Sequence, residues 1–162
     1  MTDQNSTDQN SADASGNDNG GPGNGGTGRT DGRFDAGIRV RRDVMGDDFV
    51  DAALERNAGT DGEDLQRHIT ETVWGSVWTR DGLEKRDRSL LNIGMLVALR
   101  ATGELRGHVR GGLRNGLTRE EITEAVIHTA GYCGAPAALS AMKVVQEVLV
   151  EELGPLGESG AQ

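Results

Sequence analysis

The chain has 162 residues, a formal net charge of −9 and one cysteine, Cys133. An intrachain disulfide and any metal site built from several cysteines are therefore excluded. The acidic balance argues against nucleic acid, whose binders present basic surfaces, and no run of about 18 apolar residues offers a membrane span.

The first stretch, residues 1–32, is built from Gly, Asn, Asp, Ser and Thr with Pro22 and almost no apolar side chain. It cannot bury enough surface to offset its ordering entropy, which predicts a disordered tail. It lacks the basic start and apolar stretch of a secretory signal, and it is too acidic for a transit peptide. A cytoplasmic location is the expectation. The folded domain is expected over residues 33–154, with a short second tail over 155–162.

Apolar residues fall at helical spacing and strand-like alternation is scarce, so the expected fold is all-α with five or six helices. The first covers residues 47–57, where Val50 and Leu54 lie one turn apart. The second opens on Thr60-Asp-Gly-Glu63, a capping-box pattern. Its apolar stripe is Leu65, Ile69, Val73 and Val77, flanked by Trp74 and Trp78. The third, over 85–101, is apolar nearly all round at its centre, which predicts burial on most sides and a partner subunit over one face. The fourth, over 104–114, puts Leu105, His108, Val109, Gly112 and Leu113 on one face, and Asn115-Gly116 stops it. Thr118-Arg-Glu-Glu121 is a second capping box and opens the fifth, with Ile122, Val126, Thr129 and Cys133 inward. Gly134-Ala-Pro136 breaks the chain before a sixth helix that runs to Leu153, with Leu139, Met142, Val145, Val148 and Leu149 as its apolar set.

Several segments are distinctive together. They are Gly37-Ile-Arg-Val-Arg-Arg42, Val44-Met-Gly-Asp47, Trp74-Gly-Ser-Val-Trp78, Leu83-Glu-Lys-Arg-Asp-Arg-Ser-Leu-Leu91, Glu104-Leu-Arg-Gly-His108, Asn115-Gly-Leu-Thr-Arg-Glu-Glu-Ile122-Thr-Glu124 and Tyr132-Cys-Gly-Ala-Pro-Ala-Ala138. In these pieces the chain resembles the carboxymuconolactone decarboxylase family, from about Gly37 to Leu149. The resemblance implies an alkyl hydroperoxidase D-like helical fold, a homo-oligomer (trimer or hexamer) and no cofactor. It also implies decarboxylation of the small carboxylated lactone of protocatechuate breakdown to 3-oxoadipate enol-lactone. Family members that resolve peroxide use a Cys-x-x-Cys pair followed by a histidine. The matching positions here are Cys133, Pro136 and Ser140, so a dithiol mechanism has no chemical basis.

Such a lactone takes up the electron pair left by CO2 through its own double bond and carbonyl, so neither metal nor prosthetic group is required. The protein must hold carboxylates, stabilise a dienolate oxygen and return one proton. His108, which matches the family's histidine, is the candidate proton donor or donor to the lactone oxygen. On its residues alone it could equally be a core histidine bonded to a carbonyl. Arg88, at the start of the buried helix, is the candidate carboxylate clamp, with an ion pair as the plain alternative. Glu121 is a second catalytic candidate, although completing the cap would account for it. Tyr132 and Cys133 are expected to line the substrate pocket. A single-thiol peroxidase centred on Cys133, or a non-catalytic helical oligomer that binds a small acid, are the competing functions.

Overall fold

The computed structural model describes residues 27–157. Among them are seven α-helices: α1 (Thr27–Met45), α2 (Asp47–Asn57), α3 (Glu63–Ile69), α4 (Lys85–Leu99), α5 (Thr102–Arg114), α6 (Arg119–Cys133) and α7 (Ala135–Leu153). A π-helical turn, Thr70–Trp74, continues α3. No described residue lies in a strand, as the sequence pattern predicts. No helix is long and apolar enough to cross a membrane.

Two cores organise the chain. The first is aliphatic and lies among α4, α5, α6 and α7, around Ile93, Leu105, Val109, Ile122, Val126, Val145 and Val148. The second packs Val44, Met45 and Val50 of α1 and α2 against Trp74 and Trp78. α4, α5, α6 and α7 begin and end close to where the sequence places them. At the start of α6 the Thr118 hydroxyl accepts the Glu121 N–H at 3.2 Å, and the Glu121 carboxylate accepts the Thr118 N–H at 2.9 Å. This reciprocal pair satisfies two donors that a helix start leaves open. Pro136 sits in the first turn of α7, where its missing N–H is not needed.

Three features differ from the sequence expectation. The first is α1, which begins at Thr27, ahead of Arg33, and extends to Met45. Its three glycines and eight charged residues give no apolar period. It is helical because tertiary contact overrides weak propensity. A Cβ on Gly37 would lie 2.2 Å from the Thr70 carbonyl oxygen, and one on Gly75 would lie 2.3 Å from that of Arg33. The backbones of α1 and the π turn therefore touch, and only glycine permits that approach. Of the tail expected over residues 1–32, residues 27–32 are helical, while residues 1–26, like 158–162 of the second expected tail, lie outside the described residues.

The second difference is at Thr60. The hydroxyl accepts from the Gly62 N–H at 3.1 Å and the Glu63 carboxylate from the Gly59 N–H at 2.7 Å. These bonds order the turn before α3, and α3 itself starts only at Glu63 with no side-chain cap. The third is the register after it. The Gly75 N–H bonds to the Thr70 carbonyl, and Trp78 to Val73, each five residues back. That extra residue per turn rotates the stripe. Trp74 and Trp78 go into the core, while Leu65, Val73 and Val77 face outward. Leu139 of the sixth predicted helix is exposed as well.

Candidate functional site

The residues singled out by sequence divide between two places, with α4 as the wall between them. On one side, α4 and α6 border an open groove of about 800 Å³. Leu91, Gly94 and Met95 of α4 face Glu121, Glu124, His128, Tyr132 and Cys133 of α6 across it. Tyr132 is 81% exposed and its ring lies 4.9 Å from that of His128. Glu121 and Cys133 stand at opposite ends of α6, which runs unbroken between them. The groove thus collects Glu121, Tyr132 and Cys133, but not His108 or Arg88.

The electrostatics of this groove do not suit a di-acid. Asp87, Glu121 and Glu124 line it and no Lys or Arg does, so the two further carboxylates of a di-acid would meet like charge there. The Thr118 N–H, and then Arg86, hold the Glu121 carboxyl below the usual carboxylate range. Glu121 is therefore ionised at neutral pH, with one oxygen bonded to the cap N–H and the other paired with Arg86.

On the other side of α4 lies His108. It is half-buried on α5, and Asn92 of α4 meets its Nδ1 through the amide nitrogen Nδ2 at 3.3 Å. An amide NH2 only donates, so Nδ1 accepts and the ring proton sits on Nε2. Burial pushes the His108 pKa below its ordinary value of 6.5, partly opposed by Glu104. The imidazole is neutral at pH 7 and presents Nε2–H as a fixed donor. Its plane is parallel to Trp74 within 5°, with ring centres 6.4 Å apart, and Trp74 stacks on Trp78 at 5.0 Å.

Arg88 spends its guanidinium locally. Nε donates to the Leu83 carbonyl at 3.2 Å and Nη2 to the Arg80 carbonyl at 2.7 Å, which fastens the turn ahead of α4. Asn92 escaped the sequence reading, although a signal was available: a lone amide in the otherwise apolar centre of α4. The stacking of Trp74 on His108 had no such signal, because it depends on the π turn. Among the described residues no cluster of His, Cys, Asp and Glu could hold a metal.

Comparison with known proteins gives a consistent result. Residues 63–147 match the model of the carboxymuconolactone decarboxylase family. The chain is 47% identical over 116 residues to a nitrosuccinic acid decarboxylase of Metarhizium robertsii, covering 72% of this chain and 80% of that protein. It is 39% identical over 122 residues to the 4-carboxymuconolactone decarboxylase of Acinetobacter baylyi, covering 75% and 90%. An uncharacterised 15.0 kDa protein of Paracoccus denitrificans is 36% identical over 86 residues, covering 52% and 64%. This homology supports a carboxy-lyase activity, and the chain belongs to the carboxymuconolactone decarboxylase family.

Proposed function

We propose that the chain decarboxylates a small di-acid whose own framework takes up the electrons left by CO2, and that this acid is 4-carboxymuconolactone. The observation that carries the reading is the His108 arrangement: a neutral imidazole, its tautomer set by Asn92, stacked parallel to the Trp74 ring. As the C–CO2 bond breaks, its electron pair moves through the ring double bond into the lactone carbonyl. Negative charge then grows on that oxygen, and the Nε2–H of His108 is a donor that stabilises it without reorganising. The carbon next to the carbonyl then takes one proton from solvent water, restoring the neutral lactone. Being neutral, His108 serves the oxygen better than it serves as a standing reservoir of acid.

A second reading is favoured by the relative at 47% identity, which is named for nitrosuccinic acid. Loss of CO2 beside a nitro group leaves the pair on the nitro oxygens, and the demands on the protein are the same. Both reactions proceed without metal or prosthetic group because the electron sink is in the substrate. The test is to follow lactone absorbance and CO2 release from each acid with purified protein, with and without chelator. Enzyme-dependent loss of the lactone at a rate well above that of nitrosuccinate supports the first reading, and the reverse order supports the second. Loss of turnover in chelator would end the cofactor-free account.

A homo-oligomer, trimer or hexamer, belongs to this proposal. Leu65, Val73, Val77, Leu91, Met95, Leu99 and Leu139 are exposed, apolar side chains that a subunit contact would cover. The acidic, apolar groove between α4 and α6 suits a subunit contact better than it suits a di-acid. Light scattering on the purified chain reads the subunit number. A cytoplasmic location fits a single unpaired cysteine.

A further inference from the structure

A guanidinium presents five N–H donors and keeps its charge at any ordinary pH. Buried charges in proteins are normally paired. Arg42 obeys this rule, with Asp47 at 3.2 Å and Asp51 at 2.5 Å. Arg41, its neighbour in sequence, does not. It is only 6% exposed, and its two hydrogen bonds go to neutral oxygens, Thr70 Oγ1 at 3.2 Å and Gln66 Oε1 at 3.1 Å. Its Nε is buried without a partner, and no carboxylate among the described residues pairs with it. Burial alone shifts its pKa, downward, with no neighbouring charge opposing.

The surroundings hold this group in place without neutralising it. Thr70 gives its own hydroxyl proton to the Gln66 carbonyl at 2.8 Å, which leaves its oxygen to accept from Arg41. The guanidinium carbon lies 6.0 Å from the centre of the Trp74 ring. His108 lies 6.4 Å from the same residue's ring. Thr70 and Trp74 are the two ends of the π turn, a distortion found mostly where function requires it. A buried, oriented cation without a counter-charge and a neutral donor thus flank one indole.

We propose that Arg41 is the carboxylate anchor of this protein, binding the carboxylate that a small di-acid keeps. Which di-acid depends on the decarboxylase reading above, but the anion subsite itself does not. Nε and an Nη together form the edge that accepts a carboxylate through two parallel bonds. The carboxylate that departs then lies toward Trp74 and His108, where no cation stabilises its charge, and binding at Arg41 drives its desolvation.

The test uses succinate, a di-acid that cannot react. Trp74 and Trp78 are the only tryptophans, so intrinsic fluorescence reports on this cluster alone. Titration should give a saturable fluorescence change and should move a single buried Arg Nε–H signal in 15N NMR, absent from Arg41→Lys. That variant should weaken succinate binding tenfold or more and raise KM more than it lowers kcat, while His108→Gln should chiefly lower kcat. Unchanged succinate affinity in a normally melting Arg41→Lys overturns the assignment. So does the absence of any saturable response in the native chain, the result expected if a neighbouring subunit's carboxylate occupies Arg41. Should Arg41→Lys fail to fold, the Nε–H shift in the native chain decides alone. Succinate binding through Arg41 without turnover of either acid would preserve the anchor and remove the decarboxylase reading.

Discussion

The two cores are built on opposite principles. Around Val109 and Val145 everything is aliphatic, each helix brings a regular apolar stripe, and no charge is buried. Around Trp74 the packing holds two indoles, a buried arginine, a half-buried histidine and a π turn. The first arrangement maximises burial and tolerates no chemistry. The second keeps polar groups out of water with their bonding partly unfilled, which is where ligands and reactions find partners. On the proposed function, stability and chemistry are thus divided between two parts of one small chain.

The sharpest way to break this comparison is to damage each core and measure both quantities. Leu105→Ala removes a fully buried side chain from the aliphatic core and should lower unfolding free energy by about 2–5 kcal/mol. Turnover per folded molecule should be retained, read by denaturant titration beside an activity assay. His108→Gln should do the converse. Loss of a preorganised donor lowers kcat by about 10²–10³-fold with a far smaller change in melting. Equal damage to stability and rate in both variants would show that the cores are not separate in function.

Gly37→Ala tests the seam between α1 and the π turn. The new methyl would lie 2.2 Å from the Thr70 oxygen and 2.9 Å from the Gly75 nitrogen, so backbone must move, at about 1–3 kcal/mol or more. The expected signature is red-shifted tryptophan emission, with hydrogen exchange in α6 and α7 unchanged. A smaller effect concerns pH. His108 binds its proton less well folded than unfolded. The unfolded chain therefore takes up the proton first as pH falls below 6.5, and stability declines from there through the folded pKa. In His108→Gln that part of the acid slope should vanish. The smallest effect belongs to the exposed ion pairs that tie α5 to α7, Arg106 with Glu147 and Glu151, and Arg110 with Glu151 and Glu152. Arg110→Ala should cost about 0.2–1 kcal/mol, and less in high salt.

The aliphatic core was legible because its signals are local and periodic. Ile122, Val126 and Thr129 repeat at helical spacing, Thr118 with Glu121 closes a cap, and Gly134 with Pro136 marks a break. The aromatic core was not. A π turn carries no residue pattern that distinguishes it from α-helix, and a single inserted residue reverses which side of Val73 and Trp74 faces inward. α1 is helical through backbone contact with a segment over thirty residues away, which no window of sequence contains. The candidate site was legible in part. His108 stood out by its residue type and its apolar face, and it lies against the Asn92 amide and the Trp74 ring. Arg88 looked like a charge leading into a core, yet its bonds go to two carbonyls of the preceding turn. The buried cation proved to be Arg41, whose neighbours come from the π turn that sequence could not reveal.

The bond between Asn92 and His108 closes a loop of only sixteen residues, inside a hairpin whose connection between α4 and α5 is just Arg100 and Ala101. Arg100 turns the chain there with a left-handed backbone, φ 57°. The tautomer of the imidazole is therefore decided by a short, self-contained unit that nearby residues can assemble early in folding. On the proposed function, α1 and the π turn, which reach that unit from far along the chain, are free to be remodelled for acids of different shape while the proton on Nε2 stays where it is.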